Sequence, residues 1–225
     1  MLDKKRVLFF WFVTLIFATA TLLYAASAKE TEHFRIMKYK GDVKDADLQR
    51  VANVMESVYS EVSSLLGATV YKSGRIEIRV CGRGTERASA RRWGTVITLH
   101  VNRMELSTLR HELTHILIDK YFSNAPRWFH EGVAQYVGYK RPLSDDDKIP
   151  HFKGDFSFDA IERDFSKRDT EQERQAYRRS YAIVSYLVNK YGEKRLKRMF
   201  REKGHFGKRF RRVYGIDLED FEEML

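Results

Sequence analysis

The chain has one cysteine, Cys81, among 225 residues, so no internal disulfide can staple it. Its fold must rest on a packed core, for which a 43% hydrophobic content is ordinary. Cys81 sits in an alternating apolar stretch and reads as a small buried side chain. Beyond residue 28 no stretch is apolar enough to span a bilayer, and no cysteine follows the N-terminal apolar run, which argues against a lipid-anchored form. There is no internal repeat and no low-complexity linker, so one domain is expected over residues 29–225. Negative charge is also scarce, with 31 Asp and Glu against 41 Lys and Arg, giving a formal net charge of +10. That surplus favours anionic partners, and an anionic membrane or envelope surface is a candidate. No nucleic-acid-binding motif accompanies it, so no nucleic acid is expected as partner.

The N-terminus does carry a signal. Residues 1–28 combine a basic start (Lys4, Lys5, Arg6), an apolar run from Val7 to Ala26, and Ala26-Ser27-Ala28 before Lys29. This is the three-part design of a secretory signal peptide, and the run is also just long enough for an uncleaved membrane anchor. Either form puts the remainder across the membrane, in a periplasmic or extracellular setting.

The chemistry is concentrated in His111-Glu112-Leu113-Thr114-His115. Histidines at i and i+4 lie on the same helical face, so both imidazoles can reach one ion, and the geometry suits zinc. Glu112 is rotated about 100° from His111, beside the metal rather than on it, where it can take a proton from a bound water. Leu109, Leu113, Ile116, Leu117 and Tyr121 give this helix an apolar face, and it is expected from about Glu105 to Tyr121. Ser123-Asn124-Ala125-Pro126 then reads as a short loop, with Asn124 as N-cap and Pro126 in the first turn of the next helix. His115 lies about six residues before this turn and Glu131 about six after it, so both sit roughly 9 Å from it and level with each other. Glu131 is therefore the predicted third ligand, with a fourth position left for water.

His-Glu-x-x-His followed by Pro126-Arg127-Trp128-Phe129-His130-Glu131-Gly132-Val133-Ala134-Gln135-Tyr136 resembles the gluzincin group of zinc metallopeptidases, most closely its small peptidase-MA-like families. The resemblance runs from about Glu32 to the C-terminus and is most specific at the two zinc helices. It implies a zincin-like α+β fold, one Zn2+ per chain on His111, His115 and Glu131, Glu112 as general base, and a peptide or protein substrate. The spacing from the second histidine to the ligand glutamate is shorter here than in thermolysin, and the equal depth of His115 and Glu131 makes the shorter loop harmless. A further segment, Tyr177-Arg178-Arg179-Ser180-Tyr181, is similar to the gluzincin stretch whose tyrosine donates to the substrate oxyanion. It maps that role onto Tyr177, with Tyr181 one turn on as the alternative; a half-buried core tyrosine is the bland reading.

The rest of the chain gives an N-terminal mixed β-sheet with a helix, the zinc-helix pair at the junction, and a helical C-terminal lobe. Strands are expected over His33–Lys40, Arg75–Cys81 and Thr95–Val101, a long helix over Asp45–Leu66 capped by Gly67, and a polar loop over Gly82–Gly94. The resemblance makes the strand at Thr95–Val101 the cleft edge that pairs with an extended peptide. Tyr139–Phe156 reads as a loop, and its Asp145-Asp146-Asp147 as a solvated acidic turn. Short helices at Ser157–Phe165 and near the C-terminus flank a helix opened by the Thr170-x-x-Glu173 capping box and closed by Gly192. Lys194–Arg212 reads as a solvated basic face over apolar Phe200, Phe206 and Phe210. The expected activity is peptide hydrolysis by an exported, zinc-dependent enzyme. Its rivals are a catalytically silent, zinc-stabilised envelope binding protein and a basic adaptor for an anionic surface.

Overall fold

A computed structural model describes residues 28–68, 74–82, 90–102, 104–122, 124–143, 157–168 and 170–225. The signal or anchor run, most of the loop after Gly82 and the aspartate triplet lie outside these residues. Among the described residues no helix is long and apolar enough to cross a membrane.

Among the described residues β1 (Ala28–Glu30) and β2 (Phe34–Lys40) come first, followed by α1 (Asp45–Leu66), β3 (Ile76–Cys81), β4 (Ala90–Trp93) and β5 (Val96–His100). The strands form one mixed sheet in the order β1-β2-β3-β5-β4, with β2, β3 and β5 parallel and the two outer strands antiparallel to their neighbours. Strand alternation sends Phe34, Ile36, Ile76, Ile78, Val80, Ile97 and Leu99 into the core. α1 brings Leu48, Val51, Met55, Val58, Val62 and Leu66 to the same core at helical spacing. It stops where expected, at Gly67 in the left-handed conformation (φ 61°) that costs a residue without Cβ little.

Two expectations about the sheet are corrected. The stretch Gly82–Gly94 ends in a strand, β4, which pairs Ala90 with Leu99 and Trp93 with Val96. β5 is consequently an interior strand, and β4 is the outer one on that side. The sequence hides β4 because four residues reading Ala-Arg-Arg-Trp carry no apolar alternation; β5 supplies the pairing that makes them a strand. β1, which pairs Ala28 with Met37, was likewise not expected.

The helical part comprises α2 (Leu106–Tyr121), α3 (Arg127–Tyr139), α4 (Phe158–Asp164), α5 (Glu171–Tyr191), α6 (Glu193–Arg201), α7 (Phe206–Tyr214) and α8 (Leu218–Glu223). The caps follow the sequence at α4 and α5. The Ser157 hydroxyl accepts from the Ala160 amide at 3.0 Å, and Thr170 from the Glu173 amide at 3.2 Å. At α3 the structure differs, because Pro126 itself is the N-cap with ψ 153° and the helix begins one residue later. The Trp128 amide donates 3.0 Å to Glu162 on α4, so a distant carboxylate performs the capping expected of Asn124. The basic run over α6 and α7 covers buried Phe200, Phe206 and Phe210, and Phe221 anchors α8 in the same cluster.

Candidate metal centre

α2 and α3 are joined by a short turn and pack as antiparallel neighbours. Leu109, Leu113, Ile116 and Leu117 bury the inner face of α2, while Trp128, Phe129, Val133 and Val137 bury that of α3. This leaves His111, His115 and Glu131 turned toward one another at the seam. The His111 and His115 Nε2 atoms are 3.0 Å apart, and the Glu131 Oε2 atom lies 3.3 Å from His115 and 3.6 Å from His111. The depth argument from the sequence therefore holds, and the three residues form a group able to hold a metal ion.

The spacing fits a small tetrahedral ion. Ligand bonds of about 2.0–2.2 Å at a tetrahedral centre separate neighbouring ligand atoms by roughly 3.3–3.6 Å, close to the observed triangle. The chemistry of the donors fits as well. Glu131 is 8% exposed, and its Oε2 is a buried atom with no hydrogen-bond partner. An oxygen in that state is costly unless a cation takes it up. Burial works against ionising Glu131, yet the two imidazoles outweigh it and hold the carboxyl well below the usual carboxylate range.

Cavities open on both sides of the triangle. One of about 310 Å³ is lined by Glu105, Ser107, His111, Glu112, Gln135 and Tyr139 among others. Glu112 thus faces open space beside His111 and stands outside the ligand triangle. The second, of about 300 Å³, is lined by His115, Ala125, Arg127, His130 and Glu131.

The tyrosines divide clearly. Tyr181 is buried and donates its hydroxyl to the Arg141 carbonyl at 2.6 Å, which ties α5 to the segment after α3. Tyr177 is half-buried, packs edge-on against Phe165 at 5.2 Å, and feels the Glu131 carboxylate and the Arg127 guanidinium. Burial, and then the Glu131 charge, push its phenol above its ordinary value, while Arg127 pulls the other way. Sequence reasoning missed Arg127. Its Nε is 3.8 Å from Glu131 Oε1, its Nη1 donates 3.2 Å to the Phe165 carbonyl, and its guanidinium stacks 4.3 Å over the Phe165 ring. The one available signal was its spacing, four residues before Glu131 and so on the same helical face.

A family model described as the Peptidase MA superfamily matches residues 92–225, more than half of the chain. The chain belongs to that superfamily. The match takes in His111, His115, Glu131, Glu112 and Tyr177, and starts in β4, so the superfamily's likeness is shown from β4 to the C-terminus rather than from Glu32 onward. The architecture of a mixed sheet, a helix pair and a helical C-terminal part is that of a zincin-like α+β fold, as expected. The superfamily is described as one of peptidases. The chain is also similar to the Bacillus subtilis (strain 168) protein YhcO, itself described as uncharacterized, with 29% identity over 103 residues. That stretch is 44% of this chain and 31% of YhcO, so the chain matches under a third of its relative's length.

Proposed function

We propose that the chain is a zinc-dependent metallopeptidase of the gluzincin type, with His111, His115 and Glu131 holding one zinc per chain. The observation that carries this reading is the convergence of two imidazoles and one buried carboxylate oxygen on a single point, with Glu112 facing a cavity beside them. When bound, the ion would supply a Lewis acid that polarises a carbonyl and lowers the pKa of water. Glu112 takes a proton from the attacking water and passes it to the leaving amine. Tyr177, beside Glu131, donates its hydroxyl to the developing oxyanion, and the engagement of Tyr181 with Arg141 supports this choice. β4 lies outermost in the sheet and beside α2, so an extended peptide could add along it as a further strand.

The N-terminal run carries the proposal that the enzyme works outside the cytoplasm. An intact mass beginning at Lys29 would mark a cleaved signal, and one including Met1 an anchor. A silent binding protein would have no use for a base next to an open cavity. Digestion of a peptide library with and without chelator tests the reading, with Glu112→Gln as control. The variant should keep its metal and lose cleavage, since the amide preserves shape and removes the base. Full activity in Glu112→Gln would refute the mechanism.

A further inference from the structure

The cavity of about 310 Å³ between the start of α2 and the end of α3 holds features that hydrolysis itself does not use. Glu105, the N-cap residue of α2, is exposed and makes no side-chain capping bond. Among the described residues its carboxylate has no ionic partner. Gln135 lies one turn beyond Glu131 on α3, lines the same cavity, and has an amide with no hydrogen-bond partner among the described residues. Tyr139 is 56% exposed and adds an aromatic face, and among the described residues no lysine or arginine lines the cavity. A carboxylate, an amide oxygen and an aromatic ring around a slot this size are the complement of an alkyl stem ending in a cation.

We propose that this cavity is a substrate subsite that selects a lysine or arginine side chain, with Glu105 as the specificity-determining residue. The inference rests on the metallopeptidase reading for its setting beside His111 and Glu112. It runs against the field of the whole molecule, because a chain of net charge +10 repels cationic substrates in general. A preference for a cation must therefore arise locally, and at one substrate position.

The test uses the zinc-loaded full chain and sets of fluorogenic peptides that differ only by Lys, Met or Glu at one position, scanned across the scissile bond. At one position kcat/KM should favour Lys over Met by about tenfold or more, Glu105→Gln should shrink that ratio to about twofold or less, and Glu105→Lys should turn the preference toward Glu. A ratio near one at every position, or one that Glu105→Gln leaves unchanged, overturns the proposal. A second arm measures binding of the same labelled peptides to the Glu112→Gln chain by fluorescence anisotropy, with and without Glu105→Gln. Glu105-dependent binding of the Lys peptide without any hydrolysis by the unmodified chain would uphold the subsite and reject the peptidase reading. Hydrolysis indifferent to charge would do the reverse, and neither hydrolysis nor selective binding would reject both.

Discussion

Gly132→Ala should destabilise the protein, although on an isolated helix the same change stabilises. Gly132 follows Glu131 on α3 where that helix crosses α5. A Cβ placed there would lie 2.2 Å from the Ser180 carbonyl oxygen, 2.8 Å from its carbon and 2.7 Å from Val184 Cγ2. The oxygen and carbon belong to the backbone of a buried helix turn, so they cannot swing aside as a side-chain tip could. Restoring ordinary contact requires the two helices to part by about 1 Å, which places the cost at the upper end of overpacking, ~3 kcal/mol or more. Ala gains about 1 kcal/mol over Gly in helix propensity, leaving a net loss of roughly 2 kcal/mol or more. For a domain of this size that lowers the melting temperature by about 4–8 °C or more, measurable by calorimetry or circular dichroism. Because α3 carries Glu131 and α5 carries Tyr177, the same displacement should also lower turnover. Gly138→Ala, whose Cβ would meet the Ser107 carbonyl oxygen at 3.0 Å, should cost less. A Gly132→Ala protein that melts at or above the unmodified one would refute the close-crossing argument.

Further outcomes follow from the tyrosines and from one ion-paired carboxylate. Tyr177→Phe should lower turnover by about one to three orders of magnitude with the melting temperature nearly unchanged, as expected for a donor to developing charge. Tyr181→Phe should do the opposite, leaving the Arg141 carbonyl without its donor at a cost of about 1–3 kcal/mol in stability; turnover lost at Tyr181 alone would move the oxyanion role there. Glu61 sits 2.8 Å from both the Lys140 ammonium and the Arg110 guanidinium, and these partners, Lys140 foremost, lower its pKa from the ordinary 4.5 despite opposing burial. A lowered carboxylate pKa contributes stability that is present above 4.5 and is lost as pH falls through the folded value. Melting temperature measured against pH should therefore fall less steeply below 4.5 in Glu61→Gln than in the unmodified chain; identical slopes would contradict the pairing.

The helices were legible because each carries its own instructions. α1 shows apolar residues every three or four positions and a glycine stop, and α5 opens on Thr170 and closes on Gly192; all of this is local. The ligand triangle was legible because i, i+4 spacing and equal depth in an antiparallel pair are fixed by helix geometry once the connecting turn is short. The outer strands were not, since three residues at Ala28 and four at Ala90 become strands only by pairing with β2 and β5. The family resemblance places the cleft edge at β5, and the unseen pairing of β4 makes β4 the outer strand instead. The cap of α3 shows a third limit, for its donor bond runs to Glu162, 34 residues away, where local pattern has no reach. Arg127 escaped notice because its partners lie on the same helix, at the Phe165 carbonyl and on α5, and only folding brings the three together.

Metal stoichiometry bears most directly on the central claim, because the triangle formed by His111, His115 and Glu131 underlies the proposed chemistry. Elemental analysis of the purified protein after dialysis should find one zinc per chain. Separate replacement of His111, His115 and Glu131 by Ala should each lower that content, while Glu112→Gln leaves it intact. Full zinc retention with unchanged affinity in Glu131→Ala would contradict the assignment of the third ligand, and an unmodified chain that takes up no zinc would contradict the account as a whole.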